Sequence, residues 1–327
     1  MRTGPTAVHD PQEIMRLRKA NKKRRRSPLR HRLEHALFRF AAGALGRLPR
    51  GSAAALGRGA ARLFLSLAKS RRRVLLSNLA HAFPEKSKAE IAAVARASVE
   101  NFGGALMDFL EASRLPREEL LSRVVWSGEE RLAAARARGK GVLLLTAHFG
   151  SWEIGVLAIG LLGEPIAGIL RPLDNPFLEA ELAGRRTRFG NRPIPKKEAL
   201  REAVKAMRRN ESVAILVDQN VVGSEAVFVP FFGRLAATTP SLALLQLRTG
   251  AAVVPFFTWP LSKGRYRIGF EPPILAEEFP AEAARSDRVR RATARYTQVT
   301  EEAIRKEPAA WLWIHNRWRT RPPGYDR

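Results

Sequence analysis

Apolar positions along the chain change period partway through. Between residues 33 and 69 they recur every three or four positions. Leu33, Leu37, Phe40, Ala41, Ala44 and Leu48 form one stripe, with Arg32 and Arg39 on the far side of the helical wheel. Leu56, Ala60, Leu63 and Leu67 form a second, opposed by Arg58, Arg62 and Lys69. Both read as amphipathic helices. From residue 140, short β-like runs alternate with helical patterns. Strands are predicted at Val142–Thr146, Ile166–Leu170, Val213–Val217, Val253–Thr258 and Tyr266–Phe270, and helices at 152–162, 175–189, 197–209, 239–249 and 286–306. This alternation predicts an α/β fold with a largely parallel central sheet flanked by helices.

Punctuation refines the pattern. Ser87-Lys88-Ala89-Glu90 and Ser127-Gly128-Glu129-Glu130 read as capping boxes, and Thr239 before Pro240 as a helix N-cap. Pro49, Pro84 and Pro116 mark breaks between helices. In Trp311-Leu312-Trp313-Ile314-His315 the alternation favours a closing strand with two distinct faces, while three tryptophans among cationic residues also fit nucleic-acid stacking or a membrane-interface belt. The organisation expected is a basic, disordered tail at 1–32, a helical membrane-contacting region at 33–125, an α/β core at 126–322 and a short tail at 323–327.

Charge narrows the partners. The 327 residues carry a formal net charge of +26, which calls for an anionic partner: nucleic acid, an acidic membrane surface, an acidic protein or a phosphorylated substrate. Residues 1–32 hold eleven lysines and arginines against Asp10 and Glu13. A polybasic run beside amphipathic helices suits binding to anionic lipid. No uninterrupted apolar run reaches eighteen residues, so attachment is expected to be peripheral or monotopic, without a spanning helix. The chain has no cysteine, which excludes disulfides and thiolate metal sites.

Candidate chemistry gathers where predicted strands end. His148 and Glu153 flank Phe149-Gly150-Ser151-Trp152, directly after Val142–Thr146 and Ala147. A histidine takes a proton near neutral pH, and a carboxylate can fix its tautomer, so the pair could turn a hydroxyl into a nucleophile. Arg171 and Asn175 follow the next predicted strand; Asp218 and Gln219 follow the one after. Ligands of open α/β sheets bind at such strand ends. Arg171 could bind a phosphate or stabilise an oxyanion, and Asp218 could hold Arg171 or a substrate hydroxyl. Phe231 and Phe232 beside Arg234 offer an apolar wall next to a cation, suited to an acyl chain on a phosphorylated headgroup, although the same aromatics could simply pack a loop on the core.

Taken together these residues resemble the lysophospholipid-acyltransferase superfamily, and within it the branch of lipid A late (lauroyl and myristoyl) acyltransferases. The resemblance runs from about residue 33 to 322. It is carried by Asn78-Leu79, Phe83-Pro84-Glu85, His148–Glu153, Arg171-Pro172, Asn175-Pro176, Asp218-Gln219, Val229–Thr239, Val254-Pro255 and Trp311–Trp318. It implies transfer of a fatty acyl group from acyl carrier protein, an acidic partner, to a hydroxyl of a phosphorylated glycolipid at the cytoplasmic face of the inner membrane. His148 would be the general base and Glu153 its orienting partner. Arg171, Asn175, Asp218, Gln219, Phe231, Phe232 and Arg234 would form the substrate site, with no metal or other cofactor. Asn220 stands where some lipid A enzymes carry an acidic residue, which leaves open another glycolipid or a lysophospholipid as acceptor. The rival from another class, a basic nucleic-acid-binding protein, lacks any recognised motif of that kind.

Overall fold

The computed structural model describes residues 27–163, 165–170, 172–195, 198–223, 225–322 and 324. Five helices open the described chain: α1 (Pro28–Leu45), α2 (Arg50–Leu67), α3 (Lys69–Ala82), α4 (Lys88–Ala112) and α5 (Arg117–Ser122). Strands and helices then alternate: β1 (Val124–Ser127), α6 (Glu129–Ala137), β2 (Val142–Thr146), α7 (Trp152–Leu161), β3 (Ile166–Leu170), α8 (Pro176–Thr187), β4 (Arg192–Pro195), α9 (Ala199–Arg208) and β5 (Ser212–Leu216). After them come a hairpin of β6 (Val227–Phe231) and β7 (Arg234–Thr238), then α10 (Ser241–Thr249), β8 (Ala252–Pro260), β9 (Tyr266–Phe270) and α11 (Arg285–Lys306).

Seven strands make one sheet in the order β1-β9-β8-β2-β5-β3-β4. Every neighbouring pair is parallel except β8 and β9. The expected fold class is the one observed. Pleating explains why β2 reads as an unbroken apolar run: successive side chains enter opposite faces. Leu143 and Leu145 join the core with Leu75 and Leu79 of α3, Val99 of α4 and Tyr296 of α11. Val142 and Leu144 join Leu132 of α6, Ala158 of α7 and Phe256 of β8.

Several boundaries differ from the sequence reading. Residues 1–26 of the expected tail lie outside the described residues, as does the tail at 323–327 apart from Gly324. Residues 28–32 belong to α1, because Ser27 accepts from Arg30 N–H at 3.2 Å and Pro28 takes the first helical position. The sheet begins at Val124, ahead of the expected core boundary at 126. The Ser87 capping box is present. The one at Ser127 is not: Ser127 ends β1, and Gly128, with φ 76°, caps α6 without a side-chain bond. Residues 311–318 form no strand; Trp311 makes a single bridge to Phe149, and turns follow. The segment spends its apolar side chains on the core (Trp311, Trp313 and Trp318 are buried), and no neighbouring strand runs beside it to sustain a ladder.

The amphipathic stripes of α1 and α2 point away from that core. Leu33, Leu37, Phe40, Leu56, Leu63 and Leu67 are all exposed. Among the described residues no helix is long and apolar enough to cross a membrane.

Candidate active site

Parallel register brings the principal residues together. β2 and β5 are neighbours with Thr146 opposite Leu216. Two residues beyond each, His148 and Asp218 arrive at the same level. The Asp218 carboxylate lies 3.0 Å from His148 Nδ1 and accepts the His148 backbone N–H at 3.0 Å. Trp311 donates its indole N–H to the same carboxylate at 2.8 Å. The turn leaving His148 requires glycine: Gly150 has φ 54°, and a Cβ there would overlap the Thr258 carbonyl. Residues 310–312 close the turn, since Gly150 N–H donates to Ala310 O and Leu312 N–H to His148 O.

This geometry assigns the tautomer. An ionised carboxylate only accepts, so Nδ1 carries the proton and Nε2 is left as the basic nitrogen. The Gln219 side-chain amide sits 3.2 Å from Nε2. His148 is 22% exposed at its side chain and Asp218 2%, so a substrate can reach the ring but not the carboxylate behind it. Burial pulls the imidazole pKa down, but the charge and hydrogen bond of Asp218, with Glu153 contributing from farther off, outweigh it. His148 therefore titrates above the usual histidine range. Burial pushes Asp218 up, yet the His148 charge, the hydrogen bonds from His148 and Trp311, and the His148 backbone N–H bring it down to about 2. Asp218 is thus ionised throughout the range in which the histidine works.

Glu153 is placed differently from the reading that the resemblance implies. It begins α7, where a carboxylate is favoured by the helix N-terminus. Its oxygens accept from Arg186 Nε of α8 at 3.0 and 3.2 Å, and no hydrogen bond joins it to His148 among the described residues. The ring's orienting carboxylate is Asp218. The reason is register: a partner on the adjacent strand reaches Nδ1 directly, whereas Glu153 starts a helix that turns toward α8.

Other expected site residues have structural surroundings. Asn175 is buried and caps α8, accepting from Phe177 N–H at 3.0 Å and Leu178 N–H at 3.3 Å; its amide donates to His31 O and Glu34 of α1. Its hydrogen-bonding capacity is used by the fold, which leaves none for substrate. Phe231 and Phe232 are core residues, not an acyl-chain wall. Phe231 stacks on Trp318 and meets Trp311 edge-on, and Phe232 packs beside Phe83 and Trp313. The Phe232-Gly233 turn, with φ 50° and 73°, folds β6 onto β7 and drives both rings inward. Arg234, in the same hairpin, lies near His81, whose pKa burial and then Arg234 lower. Arg171 lies outside the described residues.

Sequence reasoning missed three participants. Trp311 braces Asp218, and Arg186 holds Glu153. Arg317, fully buried, donates to Ala237 O at 2.7 Å and Thr238 Oγ1 and reaches Gln219 O at 3.4 Å, so that it ties the Asp218-Gln219 loop to β7. Burial brings its guanidinium pKa down to about 10. The interleaving of Trp and Arg at 311–318 was the visible signal, but it is equally consistent with surface stacking. Because the three indoles are buried, they offer nucleic-acid bases no stacking surface.

Beside His148 a cavity of about 380 Å³ runs down between β3, β5 and α7. His148, Gln219, Glu153, Arg186, Asn191 and Arg192 line it together with an apolar wall of Val156, Ile166, Gly168, Ile169, Ala214 and Leu216. A Cβ added to Gly168 would meet nothing within 4 Å. Among the described residues no group of acidic, histidine or cysteine side chains is arranged to hold a metal ion. The arrangement is a base with an assigned proton-accepting nitrogen beside a space that has both polar groups and an apolar wall.

The sequence profile of the family described as bacterial lipid A biosynthesis acyltransferase matches residues 21–320. The lipid A biosynthesis lauroyltransferase of Escherichia coli is 30% identical over 271 residues, covering 82% of this chain and 86% of that protein. A lipid A biosynthesis acyltransferase of Haemophilus influenzae is 29% identical, covering 82% and 84%. The lipid A biosynthesis myristoyltransferase of Escherichia coli is 29% identical, covering 83% and 81%.

Proposed function

Because the chain belongs to the bacterial lipid A biosynthesis acyltransferase family, we propose that it moves a fatty acyl group from acyl carrier protein to a hydroxyl of a lipid A precursor, at the cytoplasmic face of the inner membrane. The observation that carries this reading is the His148–Asp218 couple, whose basic Nε2, beside the Gln219 amide, faces a cavity with an apolar wall.

The acceptor hydroxyl displaces the Gln219 amide and gives its proton to Nε2 as its oxygen attacks the thioester carbonyl carbon. Asp218, ionised and held by Trp311, stabilises the imidazolium that forms. The tetrahedral intermediate collapses by breaking the C–S bond. The imidazolium returns its proton to the departing thiolate, leaving an ester and a free thiol. Glu153, fixed by Arg186, adds negative potential near the ring and shapes the cavity mouth. The transferred chain lies along Val156, Ile169 and Ala214. Arg171, one residue past β3, binds a phosphate of the acceptor, a task for a planar bidentate cation. The exposed leucines of α1 and α2 rest in the bilayer interface, with the basic tail on anionic headgroups.

The test is a purified full chain mixed with acyl-acyl carrier protein and a phosphorylated lipid A precursor, the products read by mass spectrometry. The expected result is acceptor mass increased by one acyl group less the hydroxyl hydrogen it replaces, with the carrier's thiol set free. Transfer only to a lysophospholipid or another glycolipid would overturn the acceptor, and no transfer from the carrier protein would overturn the donor.

A further inference from the structure

A second cavity, of about 290 Å³, lies between α2 and α4 on the other side of the catalytic histidine. Its walls are Ala60, Ala61 and Phe64 from α2, Phe102 and Leu106 from α4, and Leu312. The hydroxyl of Ser98, the polar side chain of the lining, is taken up by Trp311 O at 2.7 Å. The space is therefore suited to hydrocarbon. The space opens to the surface past Phe64 and Leu106, so an apolar chain can enter it from outside.

Two contacts join this cavity to the reacting centre. Leu312, one of its walls, is bonded through its backbone N–H to His148 O. Phe102, another wall, stacks on Trp152 at 6.1 Å, and Trp152 meets the His148 ring edge-on at 5.2 Å. Trp152 also lines the β3–β5 cavity. The Phe102–Trp152 pair is thus a partition, with one apolar space on each side and His148 at its end.

The two spaces differ in what they open onto. The β3–β5 cavity opens between the strand ends and α7, beside His148 and the exposed Leu173. The α2–α4 cavity shares Phe64 and Leu106, 53% and 44% exposed, with the outer surface, where Leu63 and Leu67 continue the apolar stripe of α2. A cation stands beside it: Arg71, exposed, donates to the backbone carbonyl of Ile314, itself a lining residue. Lys69, Arg72 and Arg73 are exposed on the same turn.

We propose that the α2–α4 cavity binds a hydrocarbon chain already present on the acceptor, a phosphorylated lipid entering from the bilayer, while its anionic headgroup is met by Arg71 and its neighbours. This rests on the acyltransfer reading and deepens it. A chain sliding from the bilayer along Leu63 and Leu67 into the cavity stays out of water along the way, and it delivers the headgroup hydroxyl beside His148. The donor chain then occupies the other cavity, so two lipid tails flank one base without competing.

The test measures steady-state transfer by the full chain with two sets of variants. Ala60→Phe and Leu106→Trp fill the α2–α4 cavity from exposed positions, and Gly168→Leu fills the β3–β5 cavity. Excluding about two methylenes from the cavity is expected to raise the acceptor KM roughly tenfold in the first two variants. Their donor KM and their choice among donor chain lengths should stay those of the wild type. Gly168→Leu should do the reverse, shifting donor preference toward shorter chains. An unchanged acceptor KM in both cavity-filling variants, with melting temperatures near that of the wild type, would overturn the proposal. So would a changed donor chain preference in those variants. If the wild type transfers to no phosphorylated lipid, the functional reading fails instead, and the cavity is judged by calorimetric titration with dodecyl phosphate. Binding about tenfold weaker to Ala60→Phe than to the wild type and Gly168→Leu supports the cavity; equal binding to all three refutes it.

Discussion

Leu144 and Leu63 each belong to an apolar pattern of the sequence, yet Leu144 is 0% exposed and Leu63 61%. The first lies in a strand with parallel neighbours on both sides and helices over both faces. The second lies on the outer face of α2, which packs against α4 through its other side, where the Gly57 and Gly103 backbones touch. Burial in the sheet serves rigidity: it holds His148 and Asp218 at one level to within a hydrogen bond. Exposure on α1 and α2 stabilises nothing inside the molecule and leaves apolar area available to a lipid surface. The molecule separates the element that holds His148 and Asp218 in place from the element that leaves apolar area uncovered.

The sharpest way to test that separation is at the sheet end. His148→Ala should lower kcat/KM by about two to four orders of magnitude, with an unchanged far-ultraviolet spectrum and melting transition. Near-wild-type turnover would remove the histidine from the mechanism.

Asp218→Asn should follow, at about a hundredfold or more, with a distinguishing pH signature. Asp218 is the group that does most to raise the His148 pKa against the lowering effect of burial, with Glu153 adding to it. The base must be neutral to act, so the acid limb of the wild-type rate profile should lie above the usual histidine range. Removing the carboxylate should move that limb to lower pH. A limb that stays in place would show that another group sets it.

Leu144→Ala and Leu63→Ala confront the two regions directly. The buried truncation should cost about 2–5 kcal/mol in denaturant unfolding, and the exposed one less than about 0.5 kcal/mol. Leu63→Ala should instead weaken binding to anionic vesicles. Equal destabilisation would mean that α2 is covered in the free protein.

The smallest effect is expected from deleting residues 1–26. Catalysis on detergent-dispersed acceptor should be nearly unchanged, while vesicle binding falls and becomes less sensitive to salt, because exposed charges are screened beyond about 10 Å at 0.1 M ionic strength. Complete release of the intact chain by moderate salt would contradict a hydrophobic contribution from α1 and α2.

Local physics was enough to read much of this protein. Short apolar runs located β2, β3 and β9 as they stand, and periodicity located the helices between them to within a residue or two, since burial is written directly in residue order. It also brought His148 and Asp218 to strand ends. Short elements escaped: β1 and β4 have four residues each, too few to show a period, and the β6–β7 hairpin hides behind a turn with Phe, not Asn or Asp, at a positive φ. What the chain could not disclose by itself was which carboxylate serves the histidine. Glu153 is nearer in sequence, but Asp218 is nearer in space, because neighbouring parallel strands equalise positions seventy residues apart. The same holds for Phe231, Phe232 and the three buried tryptophans, whose composition suits a ligand wall as well as a core. Only tertiary packing, by deciding which face of each element is covered, separated the aromatic side chains that support the site from the apolar surfaces left open to lipid.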